Sequence, residues 1–414
     1  MRLSDEERSM RAGEQGPLLQ WAIQHQIKVG DYLGAADFVP VGQAHIMADT
    51  ESLGEAGVEW LERWAELPRE QRLVRIPTTT DPRGTDFAAA TRLKQQPWML
   101  ELERRAIAAF EALGVLMTNT CINYQTIMPP VRGEHCAYGD TGVVIYANSV
   151  CGARSNYEGG PSALSAGLTG RTPRYGYHLD AARQARLTVE LSWTPHAIND
   201  WGALGGVVGR LAGDYWQVPV LIGIERVPSS DELKHFGAAL ASFGSVALFH
   251  VAGITPEATR FEDLVPTGRS LRRHKIGEAD VRDFQARYTK NIETIDVVVF
   301  SAPQLSLIEM RTLADLLDSR RAGIPLLAVT SPQIKPDADR MGITARIEAA
   351  GGTVLSGMCF YQSYAREIAE ANGWRRLATN SAKLVNILGG YGYQPVLLSM
   401  EQCVAAACAG GKLG

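Results

Sequence analysis

The sequence carries little excess charge. Its 414 residues hold 41 Lys and Arg against 45 Asp and Glu, a formal net charge of −4. Such a balance offers no basic footprint for nucleic acid and no attraction to an anionic membrane surface. No stretch approaches the roughly 18 consecutive apolar residues of a membrane-crossing helix, so no span is expected. The N-terminus, MRLSDEERSM, lacks the apolar core of a signal peptide. Cysteine is scarce, six in all, and without a secretory signal these read as reduced thiols of a cytoplasmic protein. No two of them form a CxxC pair, which removes the local signature of a zinc site. Internal repeats, low-complexity tracts and long linkers are also missing.

What is present is ordinary for a globular protein: 45% apolar and 21% charged residues, with length for two or three domains. Ser4 followed by Glu7 is a capping-box pattern that predicts a helix at the N-terminus. Further helices are expected over 54–66 and 94–113, and LVRIPTTTDPRGTDF reads as a short strand running into a Pro/Gly loop. From about residue 216 the pattern becomes regular. The β-rich runs VPVLIGIE, SVALFHVAGI, IDVVVFSA, IPLLAVTS and TVLSGMCF alternate with helical segments at 231–243, 305–321, 338–350 and 362–372. Apolar strands alternating with amphipathic helices predict an α/β fold with parallel sheets covered by helices. The expected organisation is an N-terminal α/β region, 1–215, with polar substrate loops and Cys121, and a C-terminal α/β region, 216–414, with Cys359. In such folds ligands gather where strands end. His250, Ser301 to Gln304 and Cys359 stand at such ends.

The polar residues concentrate in 133–178, where ANSVCGARSN joins Asn148, Ser149, Arg154, Ser155 and Asn156. An arginine among glycines and small hydroxyl residues suits a carboxylate, because its planar donors match two oxygens. The same residues also suit a glycine-rich turn whose side chains bond their own backbone. His250 on an apolar strand reads either as a hydrogen-bonded core residue or as a proton carrier, and Lys383 either as a solvated charge or as a functional one. Cys121, in TNTCINYQ, and Cys359 each follow the end of a predicted element among small residues. Cys136 and Cys151 lie in the polar block, and Cys403 and Cys408 read as small core residues of a terminal helix.

The order PTTTDPRGTD, TCINY, YANSVCGARSN, GPSALSAGLTGRTPRYGYH, FHVAGITPEA, TNSAK and EQCVAAA resembles the large, catalytic part of the aconitase X family over nearly the whole chain. The resemblance implies an aconitase-like multidomain architecture and a hydro-lyase. The substrate it implies is a small hydroxy acid: cis-3-hydroxy-L-proline in one branch, mevalonate 5-phosphate in the other. It also implies an iron–sulfur cluster and a smaller swivelling domain with a proton-transferring serine, here a separate small subunit. In the phosphate-handling branch three cysteines hold the cluster. Two map to Cys121 and Cys359, and Ala302 stands where the third would be. That departure fits the hydroxyproline branch and a 2Fe–2S cluster, with mononuclear iron or a metal-free binding subunit as alternatives.

Removing hydroxide at neutral pH needs an acid or Lewis acid on the leaving oxygen and a base for the proton beside the carboxylate. On this resemblance Cys121 and Cys359 are the expected metal ligands. Arg154 is expected to clamp the carboxylate, and Thr79, Thr80, Asn148, Ser149, Ser155 and Asn156 to orient it. His250 and Lys383 are the expected proton carriers.

Overall fold

The structure, a computed structural model, describes residues 1–265 and 270–413. Its strands in chain order begin with β1 (Phe38–Pro40), β2 (Gln43–Ile46), β3 (Thr78–Thr80), β4 (Cys136–Tyr138) and β5 (Arg171–Pro173). There follow β6 (Leu187–Leu191), β7 (Pro219–Ile222), β8 (His250–Val251) and β9 (Arg272–Ile276). The last are β10 (Val297–Leu305), β11 (Leu326–Thr330), β12 (Gly352–Ser356), β13 (Arg376–Thr379) and β14 (Gln394–Leu397).

They assemble into three parallel sheets of order β3-β2-β4, β8-β7-β6-β9 and β12-β11-β10-β13-β14, and β1 pairs antiparallel with β5. The α/β expectation therefore holds. The regular region from 216 onward contributes to two of these sheets, and residue 215 lies between the paired strands β6 and β7.

Local chemistry explains the elements. Ser4 and Glu7 form the reciprocal capping box of helix Asp5–Ala12. The same device opens helices Ser230–Gly244, Leu307–Leu316 and Met400–Cys408. The helix expected over 338–350 is two helices, Lys335–Arg340 and Ile343–Ala349, broken at Gly342, whose φ is +71°. Along β10, Val298 and Phe300 join one apolar cluster and Val297 and Val299 join another. Successive side chains thus bury both faces of the third sheet, as helices on two sides require.

Two strand readings change. In SVALFHVAGI only His250–Val251 pairs in a ladder. Upstream, side chains take over: Asn148 Nδ2 donates to the Ala247 carbonyl, Tyr157 to that of Val246, and the Phe249 N–H donates to Ser149 Oγ. Strand β9, RRHKI, was not expected from its basic composition, yet it pairs with β6 along its full length. It is an edge strand with Arg272, Arg273 and Lys275 exposed.

Helix Ile198–Ala212 packs on helix Ser230–Gly244 through glycines. A Cβ on Gly205 would meet the Phe236 carbonyl oxygen at 2.3 Å, and one on Gly244 would meet that of Gly209 at 2.3 Å. Backbone cannot yield as a side-chain tip can. Gly205→Ala is therefore expected to destabilise the chain by about 1–3 kcal/mol through overpacking. Equilibrium unfolding in urea checks this, and an unchanged midpoint would contradict the close approach.

Candidate functional site

The carboxyl ends of the first and third sheets face each other. This is where the site forms, as expected for parallel sheets. On the first sheet, β2 aligns His45 with Thr79 of β3 and Tyr138 of β4. His45 Nδ1 lies 2.8 Å from Thr79 Oγ1. Its Nε2 is buried without a hydrogen-bond partner, 3.5 Å from Asp81 Oδ1, which is likewise unpartnered. Burial pushes His45 down to about 4, so its ring is neutral near pH 7. Asp81 follows the last residue of β3 and donates its N–H to the Ile46 carbonyl. Burial, reinforced by the Asp140 charge, pushes its carboxyl well up. Asp140 follows β4 and caps helix Thr141–Tyr146, accepting from Val143 N–H at 2.9 Å.

From the third sheet come the thiols and the cation. Ser301 Oγ lies 3.9 Å from Cys359 Sγ and accepts the Phe360 N–H at 3.2 Å. The Gln304 N–H donates to Cys121 Sγ at 3.4 Å. Both sulfurs thus contact β10, Cys359 at its midpoint through Ser301 and Cys121 near its end through Gln304. Ser381 caps helix Ala382–Leu388 and donates to the Ala302 carbonyl, fixing Lys383 in the first turn. Lys383 Nζ lies 3.3 Å from Asp140 Oδ2 and 5.7 Å from the Tyr361 ring centre. Burial opposes its charge, but Asp140 and the two sulfurs outweigh burial and push its pKa up. Burial pushes Cys359 up to about 12, against the pull of Lys383. It pushes Cys121 well up too, with Asp81 the next cause.

Of the expected site residues, Cys121, Cys359 and Lys383 meet here. Thr79 and Thr80 lie directly beneath: Thr79 holds His45, and Thr80 Oγ1 accepts the Asn119 N–H next to the Cys121 loop. The others form a second group around helix 147–151, roughly two helical turns or about 12 Å along the chain from Asp140. There they are occupied. Arg154 pairs with Asp180 and donates to the His178 carbonyl at 3.1 Å. Asn148 bonds Ser155 in both directions, Ser155 accepts the Tyr138 N–H, and Ser149 accepts the Phe249 N–H. Asn156 is shared among Tyr175, Tyr177 and Tyr215. His250 Nε2 lies 2.8 Å from the Arg183 carbonyl oxygen, and burial lowers its pKa.

His45, Asp81 and Asp140 were not singled out from sequence, and Gln304 only as one of the polar residues 301–304 at a strand end. The available signal was positional: Asp81 and Asp140 each stand at the first or second residue past a short strand, amid small residues.

No three His, Cys, Asp or Glu side chains among the described residues converge tightly enough to hold a single metal ion unaided. A sulfide-containing cluster makes different demands, because bridging atoms separate its protein ligands. Two buried thiols at one strand end are soft donors for iron, and His45 Nε2 and Asp81 Oδ1 are buried polar atoms left without partners beside them. Their chemistry is compatible with such a group, to which Cys121 and Cys359 would supply the thiolates. Ala302 contributes no donor.

Comparison with known proteins follows the same lines. Residues 1–181 match the Aconitase X first domain, 185–286 the Aconitase X second domain and 295–409 the Aconitase X third domain. The chain is 35% identical to the phosphomevalonate dehydratase large subunit of Methanothermobacter thermautotrophicus, across 93% of each. It is 32% identical to the cis-3-hydroxy-L-proline dehydratase of Pseudomonas aeruginosa, across 99% of this chain and 70% of that protein. The crystal structure of holo aconitase X from Thermococcus kodakaraensis superposes with a TM-score of 0.87 at 30% identity, covering 98% of this chain and all of that one.

Glu103 braces the loop after Asp81. Its Oε2 accepts from Thr50 at 3.0 Å and from Gly84 N–H at 3.1 Å, while Oε1 is buried and unpartnered. Burial raises its carboxyl from 4.5 to about 7, with Thr50, Arg83 and Gly84 pulling down and Asp49 pushing up. A raised folded pKa means that the folded chain binds the extra proton. Glu103 thus costs nothing below about pH 4.5 and destabilises progressively as pH rises through about 7. Glu103→Gln is expected to gain about 2 kcal/mol more over the parent at pH 8 than at pH 5. Unfolding curves at the two pH values measure this, and a gain independent of pH would contradict it.

Proposed function

The chain belongs to the aconitase X family and is a dehydratase of that type, and on this premise we propose that it removes water from a small β-hydroxy acid at the Cys121–Cys359–Lys383 site. The observation that carries the proposal is the burial of two thiols and one ammonium together at the facing ends of two parallel sheets.

In a β-hydroxy acid the proton leaves the carbon next to the carboxylate and the hydroxyl leaves the following carbon. A double bond forms between the two, and the hydroxyl departs as water once protonated. Cys121 and Cys359 would hold an iron–sulfur cluster, 2Fe–2S in this reading, which supplies Lewis acidity when bound. Lys383 grips the substrate carboxylate: Asp140 and the sulfurs keep its ammonium charged, so it serves as an anchor and not as a base. Asp81 is the acid. Burial and the Asp140 charge push its carboxyl well up, toward the protonated form, and its Oδ1 has no partner in the fold, so it can protonate the departing hydroxyl. The serine of a small swivelling subunit is the expected acceptor of the α proton. The name large subunit carried by several relatives supports such a partner.

Cis-3-hydroxy-L-proline is the substrate we favour. Lys383 is already paired with Asp140, and this acidic setting suits a compact amino acid with a positive nitrogen better than a phosphate dianion. Mevalonate 5-phosphate is the second reading, supported by the slightly higher identity to phosphomevalonate dehydratase large subunits.

The test is to purify the chain anaerobically with its small subunit and offer both hydroxy acids. Loss of water from cis-3-hydroxy-L-proline, with iron and sulfide bound, is the expected result. Cys121→Ser and Cys359→Ser should each lower bound iron at least severalfold, and Lys383→Met should raise KM about 100-fold for the lost charge-assisted contacts. Turnover of mevalonate 5-phosphate alone would reverse the substrate assignment, and unchanged iron in both cysteine variants would end the cluster assignment.

A further inference from the structure

Gln304 touches both cysteine-bearing loops at once. Its side chain is fully buried, and Nε2 donates to the Asn119 carbonyl and the Met358 carbonyl, each at 3.2 Å. Asn119 lies two residues before Cys121, and Met358 immediately precedes Cys359. Two carbonyls accept and neither can donate, so the amide orientation is set by chemistry: the NH2 must face them. Its two protons are thereby consumed, one on each loop. The main-chain N–H of the same residue donates to Cys121 Sγ at 3.4 Å.

The residue is also held from behind. Lys234 Nζ donates to the Gln304 carbonyl at 3.3 Å, and Lys234 is itself buried against Glu309 and 3.0 Å from Asp231. His235 closes the group, its Nε2 lying 2.8 Å from Glu309. Gln304 is therefore braced on the second sheet's helix while it reaches the two loops. Among the described residues no other side chain donates hydrogen bonds to both loops.

We propose that Gln304 is the positioning residue that sets the separation of the Cys121 and Cys359 sulfurs. The inference rests on reading those two cysteines as the holders of an iron–sulfur group. It goes beyond that reading in naming what holds them in place where Ala302 brings no third thiol. Without the amide, two buried carbonyls lose their donors and the loops lose their shared tie. Gln304 touches neither a substrate nor the reacting atoms in this account; it acts through the two sulfurs.

The comparison residue is Gln95, also buried, whose Nε2 donates to the Gly84 and Ser363 carbonyls at 2.9 and 3.2 Å. It makes the same pair of bonds away from the sulfurs. The full chain is freed of metal by chelation and titrated with a trivalent arsenical that needs two neighbouring thiols. Single-thiol alkylation controls for access. Gln304→Met keeps the size and the main-chain N–H but loses the amide donors. Arsenical capture is expected to fall about tenfold, corresponding to two hydrogen bonds of about 0.7 kcal/mol each. Gln95→Met should match it in melting temperature and leave capture at the parent level. Gln304→His, with one ring donor, should lie between the two, and it carries the test if the Met variant does not fold. In the loaded complex, Gln304→Met should release iron to a chelator faster and alter the visible spectrum. The proposal is overturned if the parent captures no arsenical, if Gln304→Met captures like the parent, or if Gln95→Met slows capture equally. A parent that captures the arsenical but never takes up iron would defeat the cluster reading while leaving the positioning role standing.

Discussion

The site depends on keeping the Lys383 ammonium charged although it is buried. A buried cation is costly unless paired, and Asp140 pairs with it while capping the helix behind it. That single contact joins the end of β4 in the first sheet to the helix after β13 in the third. Once the cation is fixed, the rest follows electrostatically. Burial pushes both thiols up; the Lys383 field draws Cys359 back toward ionisation, while Asp81 reinforces the upward push on Cys121. Burial first, and the Asp140 charge next, push the Asp81 carboxyl up toward its protonated form. Removing one member would change the charge state of the others, which is why separate roles for these residues are shorthand for one coupled set.

Much of the fold was legible because it is written in local rules. The capping box at Ser4 and Glu7 formed as read, and the continuous apolar run of β10 is buried on both faces. Strand β9 escaped because four of its five residues are basic, and pairing with β6, which no local pattern reports, makes it a strand. The segment Val246–Phe249 misled in the opposite direction: its apolar pattern is that of a strand, but side chains of Asn148, Ser149 and Tyr157 satisfy its backbone.

The candidate site was legible in its cysteines and Lys383 and opaque in its carboxylates. Asp81 and His45 gain their character from burial and from Asp140, and they lie 3.5 Å apart across 36 positions of sequence. Arg154 shows the converse. Its surroundings of glycine and small hydroxyl residues suit a ligand-binding guanidinium, and in the fold Asp180 and the His178 carbonyl occupy it. Composition tells which groups can bind a carboxylate; tertiary contact decides which are free to do so.

The exposed basic rim of β9 bears on how this chain meets a partner. An edge strand presents free backbone groups to any extended segment, and charged side chains along it discourage that addition. Arg272, Arg273 and Lys275 make that border of the second sheet a poor place for another protein to extend the ladder. Association along that border is thereby left to side-chain complementarity and not to shared backbone bonds.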